Sequence, residues 1–217
     1  MRPTVALLET VRIIGGRAPL WPLHHERLLR SAAALEIVLP DIVAPAGGDD
    51  RVVRLEVSAK RVVVSEHDVG VLAPLALYVS PAPHRGYPHK SSDRAWLEAA
   101  RLTARHFDAD DALMLDRRGR VVEATLWAIG WWDHETLVVP PLTLGGLPSV
   151  ARARLLETVR GGVREAEVSR EELRGVALLA CNAAHGIVSV AALDDDAVPR
   201  NHRTLAISKR FWARRDA

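Results

Sequence analysis

The sequence predicts an α/β protein in two parts: a small N-terminal domain with a helix packed on an antiparallel sheet, and a larger C-terminal domain mixing strands and helices. Three observations predict it. Residues 4–80 hold several β-branched, partly alternating runs around one stretch of helical periodicity. The segment "PAPHRGYPHK", residues 81–90, places three prolines and a glycine in ten positions and reads as a connector. Beyond it, strand-like and helix-like segments alternate to the C-terminus. The expected boundaries are 1–82 for the small domain, 83–90 for the connector and 91–217 for the larger domain.

"TVALLETVRII" ends at Gly15-Gly16, a strand followed by a turn, and "APLW" is expected to close a hairpin as a second short strand. In "PLHHERLLRSAAALEI", Leu23, Arg27, Leu28, Ala32 and Leu35 fall on one helical face. "IVAPAGGDD" is a loop, and "RVVRLEVS", "RVVVSEH" and "VLAPLALYVS" are expected as further strands of the small sheet. After the connector, Trp96, Ala100, Thr103 and Phe107 mark a helix face. "ALMLD", "RRGR" and "VVEATLWAIGWWD" read as strand, turn and strand, and "LVVPP" adds another strand. "LTLGGLPSVARARLLETVR" is a Gly-rich loop opening into a helix; "SREELRG" begins with a capping-box pattern, Ser169 to Glu172. "VALLACNAAHGIVSVAAL" is expected as a buried central strand pair or a strand and turn.

Composition narrows the function classes. A chain of 217 residues can bury a core without staples. The single cysteine, Cys181, excludes an internal disulfide framework and suits a reducing compartment; it is expected to be a small buried residue. No secretory leader opens the sequence and no apolar run reaches the length of a membrane span, so a cytoplasmic protein without a membrane partner is expected. Formal charge is +2, and the arginines are interleaved with acids as in "RARLLETVRGGVREAEV", the pattern of solvated helix faces. No nucleic-acid partner is expected, and "KRFWARR" is read as a terminal helix with snorkelling arginines. His24-His25 and the other histidines show no metal-ligand spacing, so no metal is expected.

The chemistry turns on lysine. Of 29 cationic residues only Lys60, Lys90 and Lys209 are lysines. An ε-ammonium can lose its proton and form a Schiff base with an aldehyde, which a guanidinium cannot. If Lys90 does so with pyridoxal 5'-phosphate, the ring nitrogen needs an acid and the phosphate needs helix-start amides and an arginine. Glu123 lies in an apolar strand, Val150 and Ala151 open a helix after Gly145-Gly146, and Arg27 sits on the first helix. Glu9 and Thr10 are further candidates for the site wall, of which an alternating strand turns one inward.

The segments "LLETVRIIGGRAPLWPLHHERLLRSAAAL", "KSSDR", "ADDALMLDRRGRVVEAT", "GGLPSVARARLLE" and "CNAAHGIVSV" together resemble, in order and spacing, the class IV aminotransferases. These are fold-type IV pyridoxal-phosphate enzymes, among them branched-chain and D-amino-acid aminotransferases and 4-amino-4-deoxychorismate lyase. The resemblance covers nearly the whole chain and implies a barrel-like larger domain and a homodimer. It implies that Lys90 is the catalytic, cofactor-bonding lysine, that Glu123 pairs with the pyridine nitrogen, and that Arg27 and the amides of Val150 and Ala151 grip the phosphate. Within the family, Arg94 of "KSSDR", Ala183 of "CNAA" and Ala151 resemble the lyases, which implies pyruvate elimination to give 4-aminobenzoate. The alternative is transamination of branched-chain or D-amino acids. Thr10, Arg94 and His185 are the implied substrate contacts. Two departures stand out: the family usually has a further strand and a "GDG"-type loop ahead of the segment matching "LLETVRI", which here starts within ten residues of Met1, and Ala128 replaces a usual asparagine beside the bulky Trp127, Trp131 and Trp132.

Blander accounts run beside these. Lys90 is then a solvated linker lysine, Glu123 a rim carboxylate paired with Arg120, Arg27 a partner of Glu26 or Asp41, and His185 a structural histidine. On that account the chain is a non-catalytic descendant that binds a cofactor or a partner protein.

Overall fold

A computed structural model describes residues 5–70 and 73–213. Strand β1, Leu7–Ile13, alternates as expected, with Leu7, Val11 and Ile13 buried on one side. It does not lead into a second strand. Gly15 and Gly16, both at positive φ, close a tight turn bridged between Ile14 and Arg17, and the Trp21 N–H then bonds the Ala18 carbonyl to begin helix α1, Trp21–Ala34. Proline explains the correction: Pro19 has no N–H for a ladder, and Pro22 sits in the first helical turn, where none is needed. The buried face of α1 is His24, Arg27, Leu28, Ser31 and Ala32. Its Leu28 and Ala32 pack on Leu7, Val11, Ile13, Val53, Leu55 and Val57.

Strands β2, Arg51–Ser58, and β3, Arg61–His67, complete an antiparallel three-stranded sheet in the order β1-β2-β3. The next strand, β4 at Leu75–Val79, does not join this sheet. It lies parallel to its two neighbours in the larger sheet, where Leu75 and Leu77 enter another core. Parallel pairing depends on distant crossovers, so the local sequence of β4 carries no mark of it.

Helix α2, Ala95–His106, buries Leu97, Ala100 and Ala104 rather than the expected Trp96–Phe107 face. Small alanines let the helix approach the sheet, while Phe107 remains exposed and stacks on Tyr78 with ring centroids 4.4 Å apart. Strand β5, Asp111–Leu115, pairs with β6, Val121–Ala124. The expected long strand "VVEATLWAIGWWD" is broken, with β7 starting afresh at Ala128–Asp133. Buried Asp111 causes the break: its carboxylate accepts from the Thr125 hydroxyl and from the Leu126 N–H at 2.9 Å, holding a turn where a continuous strand would need ladder bonds.

Strand β8, Thr136–Val139, precedes helix α3, Val150–Thr158, whose Ser149 N-cap accepts from the Arg152 N–H at 3.0 Å. The short β9, Val163–Glu165, runs parallel to β8. Ser169 and Glu172 form the expected reciprocal capping box, on a single 3-10 turn. Strands β10, Leu178–Asn182, and β11, Gly186–Leu193, are the expected buried hairpin; the short β12, Asp196–Ala197, pairs with β11, and helix α4, His202–Phe211, follows.

The larger sheet runs β6-β5-β4-β11-β10-β7-β8-β9. Backbone bonds between Ala124 and Trp127 draw β6 back beside β7, so six strands curl toward a barrel around Leu77, Leu113, Ile129, Trp131, Ala180 and Val190. Among the described residues, no helix is long and apolar enough to cross a membrane.

Candidate active site

The face of the small sheet that carries Thr10, Val52 and Arg54, together with residues of the larger sheet, lines a cavity of about 360 Å³. Eight of the residues singled out from the sequence line it: Thr10, Arg27, Lys90, Arg94, Glu123, Val150, Ala151 and His185. Strand parity explains the first. Thr10 pairs across from Arg54, and both face the cavity, while Glu9 turns to the other side with Leu7 and Val11.

Glu9 is a carboxylate on an apolar face, 1% exposed, and α1 answers it. Arg27 grips it with two bonds, Nε to Oε1 at 2.9 Å and Nη2 to Oε2, and the His24 Nδ1–H donates to Oε2 at 2.6 Å. Burial raises the Glu9 carboxyl, but Arg27 and His24 outweigh it and hold it at about 2. Burial lowers His24, so it serves Glu9 as a neutral donor. Arg27 thus pairs with Glu9, not with Glu26 or Asp41, and also lines the cavity.

Lys90 lies at the end of the connector, tied to β1 by its carbonyl, which accepts from the Leu8 N–H at 2.8 Å. The surrounding walls desolvate its amine and Arg27 and Arg94 repel its charge, against the attraction of Glu9; together they lower it from 10.5 to about 7. At neutral pH much of it is the free amine. Arg94 begins α2, with its Nη2 2.8 Å from Glu98 and its Nε buried without a partner.

Glu123 is buried and not paired with Arg120, which instead bonds Asp116 and Glu167. Its oxygens are held from two sides. The His84 Nε2 lies 3.0 Å from Oε1, and the Leu147 N–H donates to Oε2 at 3.0 Å. The connector and the loop before α3 are themselves joined, the Tyr87 N–H donating to the Gly145 carbonyl at 2.8 Å. Val150 and Ala151, in the first turn of α3, have amides with no helical acceptor, at the positive end of the helix. His185 stacks on Trp127 with centroids 5.7 Å apart, in a hairpin turn held by Asn182 Oδ1; burial and then Arg12 lower its pKa.

Sequence reasoning missed His84, Arg54, Arg101, Asp111 and the Leu147 amide. Only Asp111 left a signal, an acid within the apolar "ADDALML". Nothing linear connects His84 to Glu123, 39 positions away.

The sequence profile of the family described as Amino-transferase class IV matches residues 54–193, more than half of the 217 residues. The chain belongs to the class IV aminotransferase family. Among curated proteins none matches in sequence. Among solved structures, the chain is similar to a candidate 4-amino-4-deoxychorismate lyase from Legionella pneumophila, with TM-score 0.81 and 20% identity over 95% of this chain and 91% of that one. It is similar also to a candidate amino-acid aminotransferase from Mesorhizobium loti, with TM-score 0.77 and 25% identity over 87% and 99%. The branched-chain amino acid aminotransferase from Escherichia coli gives TM-score 0.85 and 16% identity over 99% and 88%. The class IV family comprises fold-type IV pyridoxal-phosphate enzymes. The donor set fits that cofactor: a deprotonatable amine, a buried carboxylate, a guanidinium and free helix-start amides face one cavity.

Proposed function

We propose that the protein is a pyridoxal-phosphate lyase acting like 4-amino-4-deoxychorismate lyase, eliminating pyruvate to leave 4-aminobenzoate. The observation that carries this reading is the charge of the cavity wall. Arg54, Arg94 and Arg101 add to Arg27, against Asp68, Glu98 and Glu123, which suits a substrate with two carboxylates. Ala151 and Ala183 also leave the wall without the hydroxyls that a transaminase would place there.

Pyridoxal phosphate, when bound, supplies an electron sink that stabilises negative charge on the carbon losing its proton. Lys90 would hold the cofactor through its amine and then take the proton from the amine-bearing ring carbon of the substrate. As the enolpyruvyl C–O bond breaks and the ring aromatises, the departing enol of pyruvate regains a proton, so none is gained or lost overall. Arg27 and the amides of Val150 and Ala151 would bind the phosphate, and Glu123 the ring nitrogen. Arg54, Arg94 and Arg101 would orient the carboxylates. The flat His185–Trp127 pair would bound the ring.

The second reading, transamination of a small amino acid, is favoured by the likeness to the Mesorhizobium protein over nearly all of that chain. The two readings separate in one experiment. Protein loaded with cofactor is mixed with 4-amino-4-deoxychorismate and no keto acid, and pyruvate is followed with a coupled dehydrogenase. Multiple turnovers support the lyase; no pyruvate, with amino acids and keto acids interconverting, supports the transaminase.

A further inference from the structure

Glu123 has a neighbour whose hydrogen-bonding state is fixed by the backbone. Gly86, at φ +84°, turns the connector so that its N–H donates to His84 Nδ1 at 3.1 Å. Nδ1 is therefore an acceptor, and the imidazole's single proton sits on Nε2. Nε2 lies 3.0 Å from Glu123 Oε1. The ring is buried and held edge-to-face against Trp96, centroids 5.0 Å apart, so it cannot turn away. With the Leu147 N–H on the other oxygen, each oxygen of the carboxylate already accepts a hydrogen bond, so the group meets a bound ring nitrogen as an acceptor.

We infer that His84 is a positioning residue that keeps the proton between Glu123 and the bound cofactor on the ring nitrogen rather than on the carboxylate. The inference rests on the cofactor reading above. His84 is not among the residues that line the cavity; it acts through Glu123, with Gly86 fixing its tautomer and the Leu147 amide holding the other oxygen.

The test is the ¹⁵N NMR signal of ring-labelled pyridoxal phosphate bound to the wild type and to His84→Phe, His84→Asn and His84→Gln. Phenylalanine keeps the aromatic packing and removes the donor. Asparagine ends one atom short of Glu123, whereas the glutamine amide nitrogen lies as many bonds from Cβ as Nε2 does. The wild type and His84→Gln should show the protonated-ring signal, and His84→Phe and His84→Asn a signal displaced toward the unprotonated ring. A purely structural role would lower stability in every variant, His84→Gln included, and leave the signal in place. An unmoved signal in His84→Phe or His84→Asn, or an unprotonated ring in the wild type, overturns the inference and leaves the cofactor reading intact. A wild type that takes up no cofactor overturns both.

Discussion

At the scale of single residues, Lys90 shows a group held against its own stability. Burial, Arg27 and Arg94 lower its amine from 10.5 to about 7, so between those values the unfolded chain binds more protons than the folded one. The cofactor-free protein should therefore gain stability as pH rises through that window, the reverse of the behaviour of a lysine in a salt bridge. Lys90→Met should raise Tm near pH 7 by a few degrees, remove that rise, and abolish turnover. Thermal melts from pH 7 to 10 check this. A variant less stable than the wild type throughout would show that the amine is not held in an unfavourable place.

At the scale of elements, β1 and α1 are joined through one buried carboxylate. Glu9 falls from its ordinary 4.5 to about 2, so its stabilisation is complete above 4.5 and is lost as pH falls toward 2. At about 1.4 kcal/mol per pH unit this is roughly 3 kcal/mol. Glu9→Gln should remove that acid-dependent loss while lowering stability at pH 7, which urea unfolding across pH 3–7 measures. The contact between the connector and the loop before α3 is equally specific. Gly145 has φ +92°, and a Cβ there would stand 3.2 Å from the Gly86 Cα. Gly145→Ala should cost roughly 1–3 kcal/mol. By moving Leu147 off Glu123, it should also weaken cofactor binding measured by fluorescence titration. Weakened stability with unchanged cofactor affinity would separate the loop from the site.

At the scale of the whole molecule, what the sequence revealed follows from how local each cause is. Strand parity in "LLETVRI" separates Glu9 from Thr10, and Ser169–Glu172 capping is written in four consecutive residues. The parallel placement of β4, the Asp111 turn that splits β6 from β7, and the His84–Glu123 contact all depend on partners brought together only by the curled sheet. The lysine, carboxylate and arginine of the candidate site were legible because a specific chemistry demands those residue types; the histidine behind the carboxylate was not, since many residues can donate one hydrogen bond. The central claim, that this cavity holds pyridoxal phosphate through Lys90, is tested most directly by loading the protein with the cofactor, reducing with borohydride and mapping the labelled peptide. The account predicts one label, on Lys90. No label, or label scattered over Lys60 and Lys209, would contradict it.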